Sequence, residues 1–116
     1  MLAAKFRIKD SELIQKVKKQ GKLFRSENLA ISYLKAQQEE SNFAFIISKS
    51  ISKNATQRNR IKRVLSEAVR QNQSYIKKGY YMIFLPKASI IRKETRDIMN
   101  EVMNALKKAD LVKRAD

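Results

Sequence analysis

An α+β fold, a two-layer sandwich of helices on a mixed sheet, is what the chain predicts. Three observations carry it. Residues 28–34 and 43–48 alternate large and small side chains at a period of two, the signature of strands with two unlike faces. Residues 80–86, "YYMIFLP", are apolar on both faces, as in a strand buried at the centre of a sheet. Helical stripes flank that run on either side. The 116 residues suit one domain over 1–116, and 43% hydrophobic content suffices for an ordinary small core.

Taken in order, Asp10 and Ser11 can cap a helix over 11–20 whose apolar positions are Leu13, Ile14 and Val17, with Gly21 as its stop. "KLF" then offers a short extra strand. In the strand at 28–34, Leu29, Ile31 and Tyr33 share one face, and Ala30, Ser32 and Leu34 the other. The polar run 36–42 has the composition of a hairpin connection. In the next strand Phe43, Phe45 and Ile47 oppose Ala44, Ile46 and Ser48. The bulky faces suit packing on helices, and the smaller ones would leave an open concave surface. A helix over 54–72 follows, with Ile61, Val64, Leu65 and Ala68 on one stripe and Asn59, Arg63, Ser66 and Arg70 opposite. After the central strand, a last helix over 89–109 carries Ile91, Ile98, Met99, Val102 and Leu106. The order helix, strands, helix, strand, helix implies a mixed, mostly antiparallel sheet of about four strands with one βαβ crossover.

Charge narrows the function. Lys and Arg number 26 against 11 Asp and Glu, for a net +15. Such a field attracts nucleic acid or an anionic membrane. No apolar run is long enough to span a bilayer, and "MLAAKFRIKD" lacks the apolar segment of a signal peptide. A cytoplasmic protein with a nucleic-acid partner and no membrane association is expected. The chain has no His and no Cys, which removes His-based general-base chemistry, thiol chemistry and the usual zinc ligands. Asp97 and Glu101 stand four apart on a helix, more in the manner of surface charge than of a nuclease metal pair. No small-molecule substrate and no cofactor bound by the protein are indicated.

The segment "ATQRNRIKRVLSEAVR" concentrates the cations. A basic helix face is ordinarily solvated. Here Glu67 is the sole acid between Ser41 and Lys93, so the usual compensation by acidic neighbours is missing. Lys49 and Lys53 extend the charge into the preceding loop, and Arg predominates, whose planar fork suits phosphates and base edges. A helix-turn-helix DNA reader would need a short helix before this one, where "FAFIIS" predicts a strand.

The pattern K-x-x-x-K-x-A-x-x-R-N-R-x-K-R, with the opening "FRIK", the helix ending at Gly21 and the "GYYMIFLPKA" strand, strongly resembles the protein subunit of bacterial ribonuclease P over nearly the whole chain. That resemblance implies a left-handed βαβ crossover, an exception to the usual rule. It implies a catalytic RNA subunit that performs Mg2+-dependent hydrolysis to mature the 5′ ends of precursor tRNA. It places Arg58, Asn59, Arg60, Lys62 and Arg63 against that RNA, with Arg70 compensating for Ser66, which replaces a common Arg. It places the precursor's 5′ leader in a cleft between the sheet and the first helix, involving Ile14, Lys18, Ala30, Ser32, Ile46, Lys49 and Lys53. Ile14, Lys18 and Ser32 stand where relatives often carry aromatic rings, so stacking platforms are absent from that cleft. On the residues alone, a ribosomal or other structural RNA-binding protein is the alternative, and a stand-alone nuclease fits poorly.

Overall fold

The computed structural model describes residues 2–113. Four strands form one sheet: β1 (Lys22–Arg25), β2 (Leu29–Lys35), β3 (Asn42–Phe45) and β4 (Tyr80–Pro86), in the order β1-β2-β4-β3. β1 and β2 form a hairpin, β2 and β4 pair antiparallel from Leu29↔Pro86 to Lys35↔Tyr80, and β3 and β4 pair parallel. Helix α2 (Ala55–Asn72) connects β3 to β4, which makes the expected βαβ unit. The doubly apolar 80–86 run is central, as its composition requires. That placement corrects one reading of the sequence. Residues 36–42 do not close a hairpin, because β4 inserts between β2 and β3.

Helices lie on both faces of the sheet. On one face Leu29, Ile31, Phe43, Phe45, Met82 and Phe84 meet the apolar stripes of α2 and of α3 (Thr95–Lys108). These two layers are the predicted sandwich. On the other face α1 (Ser11–Gln20) seats Val17, fully buried, on Ala44 and Ile83, adding a one-helix third layer. The Asp10 side chain caps α1 by accepting from the Glu12 amide at 2.9 Å. Gly21 ends the helix for a reason other than backbone freedom. Its φ is −76°, open to any residue, but an added Cβ would lie 2.5 Å from both the Val17 and Tyr33 carbonyl oxygens.

Two element predictions change in detail. The stripe at 89–109 is broken into a 3-10 turn, Ala88–Arg92, and α3, because Lys93 is extended and its carbonyl turns to accept from Arg60. Ser66, assigned to the polar side of α2, is fully buried and accepts from the Leu2 amide at 3.1 Å, with Leu2 itself in the core. The segment that follows runs along the free edge of β3, where the Ile8 amide donates to the Phe43 carbonyl at 2.8 Å.

Candidate nucleic-acid interface

The loop before α2 prepares its first turn. The Asn54 side chain accepts from the Thr56 amide at 2.9 Å, a polar N-cap that satisfies an otherwise orphaned donor. The Ser52 hydroxyl donates to the Gln57 side chain, and the Ser52 carbonyl accepts from an Arg58 terminal nitrogen at 2.8 Å. Arg60 reaches the opposite way and donates to the Lys93 carbonyl at 2.7 Å. Both guanidinium groups are thus held by backbone oxygens, which fixes their geometry without neutralising their charge. Asn59, Lys62 and Arg63 project into solvent. Among the described residues no carboxylate lies within ion-pair distance of Arg58, Arg60, Lys62 or Arg63.

Arg70 differs. Its fork donates to both oxygens of Glu67, one turn back. The Arg70 hydrogen bond holds the Glu67 carboxyl down to about 2, and the same contact raises the Arg70 pKa. The two charges largely cancel, so Arg70 adds less to the cationic face than its position in the sequence implies.

A groove of ≈ 250 Å³ lies between the start of α1 and β3. Its apolar floor is Ile14, Ala44 and Ile46, and its rim carries Arg7, Lys9 and Lys62. Here the small strand face predicted from sequence is only partly open. Ala30 and Ser32 are buried and do not line the groove, and the Ser32 hydroxyl donates to the Val17 carbonyl of α1 at 3.2 Å. Burial leaves neither side chain open to an incoming strand. Ile14 and Ile46 stand together in the groove as expected. Lys18 is exposed one turn beyond Ile14, while Lys49 and Lys53 are exposed on the loop that leads from Ile46 to the Asn54 cap.

Arg7 and Lys9 were not singled out by sequence reasoning. The signal was present, since "FRIK" alternates apolar and basic residues as an edge-pairing segment does. The Arg7 Nε is buried and has no hydrogen-bond partner among the described residues, so the contribution of Arg7 to the rim is its charge. Lys62 belongs to both surfaces, so the motif helix and the groove form one continuous cationic front.

Glu101, one of the two acids paired by spacing on the last helix, has a structural role. Glu101 is taken up by the β1–β2 turn, accepting from the Ser26 hydroxyl, the Asn28 amide and the Asn28 side chain. Among the described residues no three His, Cys, Asp or Glu side chains converge to hold a metal ion. No helix among the described residues is long and apolar enough to cross a membrane.

A mixed four-stranded sheet with helices on both faces, fronted by a helix whose first turns carry Arg and Lys without carboxylate partners among the described residues and by an adjoining groove, defines an α+β protein with a front suited to a polyanion. The sequence matches the Ribonuclease P family over residues 2–110. It is 36% identical over 111 residues to the ribonuclease P protein component of Clostridium kluyveri, covering 93% of this chain and 97% of that one. It is 36% identical over 104 residues to that of Clostridioides difficile, covering 89% and 90%. The fold matches the RNase P protein of Staphylococcus aureus with a TM-score of 0.87, at 23% identity over 93% of this chain and 98% of the other. The Thermotoga maritima protein gives 0.81 at 23% identity, over 88% and 96%. The chain belongs to the ribonuclease P protein family.

Proposed function

We propose a division of labour between the two halves of the cationic front. As a member of its family the chain is the protein component of an endoribonuclease holoenzyme and takes part in tRNA processing. In our reading the exposed side of α2, through Arg58, Asn59, Arg60, Lys62 and Arg63, binds the catalytic RNA subunit. The groove floored by Ile14 and Ile46, with Arg7, Lys9 and Lys62 at its rim and Lys18, Lys49 and Lys53 on the approach, takes the 5′ leader of precursor tRNA. Hydrolysis, with its Mg2+, belongs to the RNA.

The observation that carries this reading is the continuity of the front. One helix supplies cations both to an exposed face and, through Lys62, to a groove with an apolar floor. A groove suits an extended single strand, and an exposed row of cations suits the phosphates of a folded RNA. The test mixes purified protein, precursor tRNA and Mg2+ with and without the RNA subunit. Cleavage at the mature 5′ end is expected only when the RNA subunit is present. Cleavage by the protein alone, surviving nuclease treatment to remove contaminating RNA, would overturn the assignment of chemistry to the RNA.

A further inference from the structure

On the face of the sheet that packs α2 and α3, the β1–β2 turn and one side of α3 enclose a pocket of ≈ 460 Å³. Asp97, Asn100, Glu101, Asn104 and Lys108 recur on α3 at steps of three and four, so they form a single polar stripe along that wall. Phe24 and Arg25 stand on the other wall. The pocket is preformed. Glu101 accepts from the Asn28 amide and from the Asn28 side chain, both at 2.7 Å, and from the Ser26 hydroxyl, which pins the turn to the helix. Asn28 is 4% exposed, and its Oδ1 is buried with no partner among the described residues.

The equipment of this pocket differs from that of the α2 face. The Asn100 and Asn104 amides are exposed and each offers donors and an acceptor, and Asp97 adds a carboxylate. Arg25, Lys93 and Lys108 are cations at its edge. Duplex backbone would meet repulsion from Asp97 and from Glu27 beside it. A single base edge requires donors and acceptors together, a ring surface, and cations near its own phosphate. The pocket also adjoins the motif helix, since Lys93, in its lining, accepts from Arg60 through its carbonyl.

We propose that this pocket receives one unpaired nucleotide of the RNA subunit, its base on Phe24 against Asn100 and Asn104 and its phosphate near Arg25 and Lys93. The inference rests on the reading of α2 as the RNA-subunit interface. A carboxylate can accept side by side from N1–H and the exocyclic amine of guanine, so Asp97 favours guanine among the bases.

The test places photocrosslinkers at positions 59 and 104 of the full chain in complex with the RNA subunit, and measures affinity for Asn100→Ala/Asn104→Ala across salt concentrations. Position 104 should label one unpaired guanine close to the nucleotides labelled from position 59. Loss of two hydrogen-bonding amides should weaken binding about tenfold. The salt slope should not change, because neutral amides displace no counterions. Both residues are exposed, so the fold should survive, as circular dichroism would report. Labelling from 59 but not from 104, or unchanged affinity, overturns the pocket and leaves the α2 interface standing. Silence at both positions overturns the α2 interface as well.

Discussion

Glu101 holds the β1–β2 turn with three hydrogen bonds, and its ionisation is tied to them. Burial pushes its pKa up, but the bonds from Ser26 and from the Asn28 side chain and backbone outweigh that and hold it below the ordinary carboxylate range. A carboxylate with a depressed folded-state pKa stabilises the fold above its unfolded value, near about 4.3, and loses that contribution as pH falls through the folded value. Glu101→Gln should therefore cost about 1–2 kcal/mol at pH 7 in urea unfolding, a charged hydrogen-bond value discounted for partial exposure. The gap between variant and parent should close under acid. Equal stability at pH 7 would show that the turn is held by something else. Gly21 makes an independent prediction at the same scale. A methyl group there meets two carbonyl oxygens that belong to different elements, so neither can retreat without moving α1 or β2. Gly21→Ala should cost about 1–3 kcal/mol by the same measurement, the usual range for overpacking. The expectation of a helix stop located the right residue, but the close approach is a tertiary fact that no local pattern encodes.

At the scale of elements, the helices were the most legible part of the chain. The α2 stripe of Ile61, Val64, Leu65 and Ala68 specifies its own buried face at a fixed period, so that face could be assigned without knowing what covers it. Strand partners could not be assigned in the same way. Nothing in residues 36–42 distinguishes a hairpin from a chain crossing to the far side of β4, because pairing is chosen by which strand can tolerate burial on both faces. Ser66 was misplaced for a related reason: its hydroxyl is buried with a partner, the Leu2 amide, 64 positions away. The motif helix carries its own prediction. Arg58→Glu or Arg63→Glu reverses a cation with no carboxylate partner among the described residues, so affinity for the RNA subunit should fall and the salt dependence should become shallower. Arg70→Glu should do less to both, since Glu67 already offsets its charge. Filter binding at several ionic strengths measures affinity and slope together. An effect of Arg70→Glu equal to that of Arg63→Glu would place the interface further along the helix.

For the whole molecule, charge announced a polyanionic partner, but the shape that sorts one RNA from another is assembled from distant pieces. The groove needs α1 from one end of the domain, β3 from the middle, and the extended segment at Arg7–Lys9 laid along the free edge of β3. The family resemblance supplied Ile14 and Ile46 together with Ala30 and Ser32. Strand alternation could not show that Ala30 and Ser32 are buried away from the groove. The rim residue Lys9 is exposed, is outside the motif helix, and so isolates the groove from the RNA-subunit interface. Lys9→Glu removes one attraction to a leader phosphate and adds a repulsion. At about 1 kcal/mol or slightly more for such exposed charges, the preference of the holoenzyme for precursor over mature tRNA should drop roughly fivefold. Affinity for the RNA subunit should stay as it was, and affinity for mature tRNA, which has no leader, should not respond. The comparison is a set of equilibrium titrations of parent and Lys9→Glu holoenzyme with precursor and mature tRNA. An equal loss on both substrates would mean that Lys9 acts on the tRNA body. Because the rings that line the groove, Phe43 and Phe45, are buried in the core, its contacts are to phosphate and sugar more than to bases, so changing the leader sequence should move these affinities far less than deleting the leader. Precursor affinity that follows leader sequence as strongly as leader presence would assign base recognition to a surface other than this groove.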